Sequence, residues 1–213
     1  MKYLIYPFII YLLIFEQFSL VMANDKIDHD LLHFQKIDLP FTSKQAAKYY
    51  YWKDDILFIS PDDKLPYRFS VEEYAYKPKI TRFDWKPSFY FPAIYFIYKK
   101  IIYKGIIYIE YGDNDTPIFI FQLNSYDVKG NFIDAIKLDE RLSAEGEALW
   151  WSDFKIEANG NIIVNQMEQI LIDDERYKNG DIHIIKKSGY QMSDTGVFRK
   201  VKETVVDEMY QEN

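Results

Sequence analysis

Three glycine turns in similar surroundings constrain this chain more than any other feature. Asp127-Val128-Lys129-Gly130-Asn131 precedes Phe132-Ile133, Glu157-Ala158-Asn159-Gly160-Asn161 precedes Ile162-Ile163, and Ser193-Asp194-Thr195-Gly196 more loosely precedes Val197-Phe198. The glycines stand 30 and 36 residues apart. Glycine enters positive φ at no steric cost, so each turn predicts a chain reversal between two strands. Pro117 to Leu138 shows the device most fully. Ile118, Phe119, Ile120, Phe121 and Leu123 form a β-branched and aromatic run, the turn follows, and Phe132, Ile133, Ile136 and Leu138 resume it. Hairpins spaced in this way predict an antiparallel meander in which each buries its apolar side against its neighbours. Three loose copies are too few for a closed propeller. The expected fold is mainly β, an antiparallel meander forming an open sheet, a partly closed barrel or a sandwich, with at most one or two short helices.

The chain opens on an apolar run, Tyr3 to Phe15, preceded by Lys2 and followed by Val21-Met22-Ala23. That pattern is a secretory leader with a small-residue cleavage site, so residues 1–23 are read as a signal peptide and 24–213 as a single β-rich domain. Thirteen apolar residues interrupted by Pro7 are short for a membrane span, which takes about 20; an uncleaved anchor is the rival reading. Removing the leader takes away one base (Lys2) and one acid (Glu16), so the net charge of −7 is unchanged. An acidic balance argues against nucleic acid or an anionic membrane surface as partner. The chain has no cysteine, so a folded exported domain must be held by its core alone, which favours a periplasm over a eukaryotic secretory route.

Thr42 or Ser43 is a cap candidate for a helix over Ser43 to Trp52, and Pro61, Pro66, Pro78 and Pro87 limit the following stretch to short strands and turns. Phe83 to Tyr111 carries eleven aromatic residues and reads as two strands, Ala93 to Lys100 and Ile101 to Glu110. Sheet packing explains that density more simply than an exposed aromatic platform does. Leu138 to Ser152 reads as a charged loop interrupting the meander.

The search for chemistry finds little. There is no Gly-x-Ser-x-Gly elbow, no glycine-rich phosphate loop, no His-Glu-x-x-His and no cysteine nucleophile. Ser152-Asp153-Phe154-Lys155 has Ser-x-x-Lys spacing, but its neighbours alternate as in a strand rather than a helix. His29 and His33 share i, i+4 spacing without a placed third ligand, and Asp173, Glu175 and Asn179 lack the order of an EF-hand. No catalytic residue, metal ligand or cofactor is assigned. The functional bet falls on partner binding by Asp139, Glu140, Glu145, Glu147, Trp150 and Trp151, where carboxylates flank two large aromatic anchors.

The run Ser125 to Leu138 with Phe154-Lys155-Ile156, Asn161-Ile162-Ile163-Val164 and Leu39-Pro40-Phe41 resembles small exported bacterial proteins of unknown function. Some of those are thought to be periplasmic immunity proteins. The resemblance covers mainly residues 117–202 and implies a non-enzymatic binding protein that occludes a toxin or enzyme. An envelope carbohydrate-binding module or a carboxylate-dependent hydrolase is the alternative, with a glycan rather than a protein as partner.

Overall fold

The computed structural model describes residues 31–53, 56–59, 67–68, 73, 89–112, 116–144, 146–173 and 178–206. The leader, His29 and Glu145 lie outside them, as does most of the proline-rich stretch. Short elements come first: β1 (Gln35–Lys36), β2 (Phe41–Thr42), α1 (Ser43–Ala46), β3 (Tyr50–Lys53), β4 (Ile56–Ile59) and β5 (Tyr67–Arg68). Eight long strands follow: β6 (Phe89–Tyr98), β7 (Ile101–Tyr111), β8 (Pro117–Tyr126), β9 (Phe132–Ala144), β10 (Ala148–Ile156), β11 (Asn161–Ile170), β12 (Ile182–Met192) and β13 (Phe198–Val205).

β6 to β13 pair in sequence order as an antiparallel meander, and the sheet is open. β1 joins parallel to β6, so the sheet is mixed. β5 adds to β6 and β2 to β10, while β3 and β4 make a separate hairpin. The hairpins expected at Gly130, Gly160 and Gly196 are β8–β9, β10–β11 and β12–β13.

The three turns are chemically one device. Gly130, Gly160 and Gly196 have φ of 81°, 86° and 88°. Each glycine N–H donates to the carbonyl three residues back, on Asp127, Glu157 and Ser193, at 3.0, 3.0 and 3.2 Å. The first residue also braces its own turn: the Asp127 carboxylate accepts the Lys129 and Asn131 amides, and Ser193 Oγ accepts the Val197 amide.

The β6–β7 connection departs from this rule. Lys99 and Lys100 fill a two-residue turn with φ of 50° and 67°, a conformation that costs a side-chain-bearing residue about 1–2 kcal/mol. Lys99 has a further role there, since its Nζ reaches Asp194 Oδ1 at 2.7 Å across to the β12–β13 turn. Lys100→Gly is therefore expected to stabilise the protein by about 1 kcal/mol while keeping that contact, read as a rise in thermal midpoint.

Inward residues of both ends of the meander meet in one core. Phe96, Tyr103, Phe121, Leu123 and Leu138 from β6–β9 cluster with Phe154, Ile156, Ile162, Val164, Met192 and Phe198 from β10–β13. The sheet must therefore bend so that its halves face each other, with β9 at the corner. Side-chain contacts pin the bend: Tyr98 OH donates to the Asn159 carbonyl at 2.7 Å, and Ser125 Oγ to the Gly196 carbonyl at 2.7 Å.

β7 and β8 are also covered on their second face, where Ile106, Tyr108, Ile118 and Ile120 pack with Phe34 and Tyr90. Burial on both faces explains why the anchor run at 118–121 is continuously apolar instead of alternating. Polar residues on that face are paired. Tyr108 OH donates to Gln122 Oε1 at 2.8 Å, Gln122 Nε2 to Asn124 Oδ1 at 2.6 Å, and Tyr126 OH to Glu73 Oε1 at 2.8 Å. Among the described aromatics of the Phe83–Tyr111 stretch, Tyr90, Phe96, Tyr103 and Tyr108 are core, whereas Phe89 and Tyr111 are exposed.

Tyr103, in the core where the halves of the meander meet, is unpaired. It is fully buried, stacked on Phe96 with centroids 5.0 Å apart, and its hydroxyl has no hydrogen-bond partner among the described residues. Burial also pushes the phenol pKa up. Tyr103→Phe is expected to raise the unfolding free energy by about 1 kcal/mol, because it removes an unsatisfied polar atom and keeps the ring.

Two expectations need correction. The helix is only Ser43–Ala46, with Gln45 Oε1 accepting the Thr42 amide at 2.9 Å, and the aromatic cluster after it enters β3 instead. Tyr50 is buried in the core as the first residue of β3. Leu138 to Ser152 is not a loop: β9 runs on to Ala144 and β10 begins at Ala148, leaving a tight turn at the tip.

Candidate functional site

The β9–β10 tip holds the residues that the sequence singled out, and its geometry begins with a break in the ladder. β9 and β10 pair at Ala144–Ala148, Ser143–Leu149 and Leu142–Trp150, and the pairing stops there. Further along, β10 pairs instead with β2, at Lys155–Thr42 and Ile156–Phe41. Where the two strands part, Ser152 N–H donates to a side chain, Asp139 Oδ1, at 2.9 Å.

Asp139 is the hub of this seam. Its Oδ2 accepts Tyr50 OH at 3.0 Å and Arg141 Nε at 2.8 Å, so one carboxylate ties β3, β9 and β10 together. The sequence placed Asp139 among the partner contacts; in this structure it has no exposed surface, and it holds Arg141. Burial pushes the Asp139 carboxyl up, against the Arg141 guanidinium, the Ser152 amide and the Tyr50 hydroxyl, which pull it down. Burial and the neighbouring Asp139 charge push the Tyr50 phenol well up, so it remains a donor. For Arg141, burial works to lower the pKa, but Asp139 and the other acidic neighbours raise it and keep the cation. The guanidinium carbon lies 5.6 Å from the Tyr50 ring centroid and 6.0 Å from that of Phe119.

Two grooves flank this seam. The first, about 350 Å³, is bounded by Ser43, Lys44 and Ala47 near α1, Arg141 and Leu142 on β9, and Leu149, Trp150, Trp151 and Asp153 on β10. Ser43 Oγ donates to Asp153 Oδ1 at 3.1 Å, which fixes the far wall. The second, about 260 Å³, is more apolar and is lined by Glu140, Leu142, Trp150, Trp151, Ser152, Gln166, Met167 and Ile185. Leu142, Trp150 and Trp151 belong to both, so the two tryptophans form a ridge between the grooves.

Of the remaining sequence candidates, Glu140 lines the second groove and contacts Lys137. Glu147 is exposed beside the tip, where its carbonyl accepts the Leu171 amide at 2.8 Å. Sequence reasoning missed Arg141, Lys44, Ser43 and Asp153 as groove residues. Arg141 stood in the same charged run, two residues from Asp139 and hence on the same side of a strand, and that spacing was the available signal. The Ser152–Lys155 pair does not make a catalytic couple, since Ser152 is buried and Lys155 is exposed, as strand alternation requires for residues three apart. Among the described residues there is no group of three or more side chains placed to hold a metal ion, and no helix is long and apolar enough to cross a membrane.

No protein-family model matches the chain, and neither a curated protein nor a solved structure matches it.

Proposed function

We propose that this is an exported, periplasmic binding protein without catalytic function, which docks on a toxin or enzyme and neutralises it by occlusion. The Trp150–Trp151 ridge carries the reading. Half-buried tryptophans between two concave surfaces are the residue type and setting in which binding energy concentrates, since a partner side chain can enter on either side and desolvate the indoles. The net charge of −7 and the exposed Glu147 at the tip favour approach by a basic partner. A rigid sheet supports the ridge, because β10 is fully paired to β11 through nine residues.

The test is capture of a partner from the envelope fraction and from products of neighbouring genes, followed by measured affinity for single variants. Trp150→Ala and Trp151→Ala are each expected to weaken binding tenfold or more without changing the unfolding transition beyond about 1 kcal/mol. Equal binding by both variants would remove the ridge from the interface. Retention of cell-wall glycan in place of protein would favour the carbohydrate-binding alternative.

A further inference from the structure

We infer that the first groove receives a carboxylate carried by a protein partner, with Arg141 as its anchor; this deepens the binding role proposed above and rests on it. The observation behind it is how Arg141 is held. Asp139, wholly buried, takes only the Nε of the guanidinium, and among the described residues the two terminal amino groups have no hydrogen-bond partner. Tyr50 and Ser152 satisfy the rest of Asp139, so the carboxylate is fixed before any ligand arrives. A guanidinium clamped at one nitrogen beside two aromatic rings is a preorganised fork, and that fork matches a carboxylate better than any neutral group.

The walls say what carries the carboxylate. Lys44, exposed on α1, adds a second positive charge, while Asp153, whose charge also reaches Arg141, is engaged by Ser43 Oγ. Leu142, Leu149, Ala47 and the indoles supply apolar surface and few hydrogen-bonding groups. A sugar ring would need more polar partners than this. A peptide offers an apolar side chain next to an acid, either at its chain end or on a glutamate.

The experiment titrates the purified protein with acetyl-Gly-Leu-Phe bearing a free carboxylate, its C-terminal amide, acetyl-Leu-Glu-Phe-amide and galacturonic acid. The readout is the pair of indole N–H resonances of Trp150 and Trp151, assigned with tryptophan-to-phenylalanine variants. The expected result is that one or both carboxylate peptides shift these signals, with at least tenfold weaker binding of the uncharged amide and loss of affinity as salt rises. The better of the two acids identifies chain end or side chain as the source. Arg141→Gln tests the anchor but disturbs a buried pair, so Lys44→Glu serves as the second variant: on an exposed position, it is expected to weaken carboxylate binding threefold or more with unfolding unchanged.

Equal affinity for acid and amide overturns the inference, and so does binding of galacturonic acid without the peptides. Silence with every probe, while Trp150→Ala still abolishes partner capture, overturns the carboxylate and leaves the binding role standing. Carboxylate binding at the groove with partner capture untouched by both tryptophan variants would instead sink the ridge as the partner interface.

Discussion

Asp139→Ala is expected to lower the unfolding free energy by about 3–5 kcal/mol, a large share of the roughly 5–15 kcal/mol that holds a domain together. The carboxylate serves three donors, and alanine strands all of them: the Ser152 amide, the Tyr50 hydroxyl and Arg141 Nε. The amide is the one on which the fold depends most directly. Where β9 and β10 separate, no ladder carbonyl replaces Asp139 as acceptor for Ser152. Arg141, about three-quarters out of contact with water, would keep its charge without its hydrogen-bonded counterion.

Urea denaturation checks this as a fall in midpoint at unchanged slope. A double variant gives the sharper reading. Asp139→Leu combined with Arg141→Met is expected to be more stable than either single change, because it removes both charges from the seam and leaves only neutral donors unpaired. A cost below about 1 kcal/mol for Asp139→Ala would mean that the seam is solvated and that Asp139 does not organise it.

The meander was legible in the sequence because its signals are local. Gly130, Gly160 and Gly196 mark reversals through a backbone angle that a side chain disfavours, and the apolar runs beside them have strand character whatever they pack against. The seam was hidden for the opposite reason. Asp139, Glu140 and Arg141 sit in a run of charges that resembles a solvated loop, and nothing local reports that a tyrosine 89 residues earlier in the chain points its hydroxyl at one of them. The short α1 helix failed similarly. Of the two cap candidates Thr42 takes the position, but Tyr50 and Tyr51 lie in β3, where core packing of Tyr50 outweighs local helical preference. Trp150 and Trp151 stood out by residue type; the two grooves around them depend on β11, β12 and α1 arriving from elsewhere in the chain.

Gly105 presents a tertiary constraint of the same kind, and Gly105→Val is expected to destabilise the protein by about 3 kcal/mol. Its φ is not in the left-handed region, so the reason is space rather than backbone conformation. A Cβ at this position would lie 2.6 Å from Ile94 Cγ1 and 2.8 Å from two carbons of the Phe121 ring, closer than carbon atoms can pack. Neither neighbour can yield into solvent, since both are fully buried. Phe121 is further fixed by ring contacts to Tyr50 and Phe154, with centroids 5.3 and 5.6 Å away. Gly105→Ala, with one carbon to place instead of three, is expected to cost about 1–3 kcal/mol. Phe121→Leu shrinks the obstructing ring, so it should offset part of that loss in the double variant, with a coupling of about 1 kcal/mol by denaturant melts. Strict additivity of the two changes would place the clash elsewhere. The strain has a route to the candidate site, because a displaced Phe121 pushes on Tyr50, and Tyr50 donates to the carboxylate that holds Arg141. The folded fraction of Gly105→Ala should therefore bind the proposed partner more weakly than the wild type, although Gly105 itself lines neither groove.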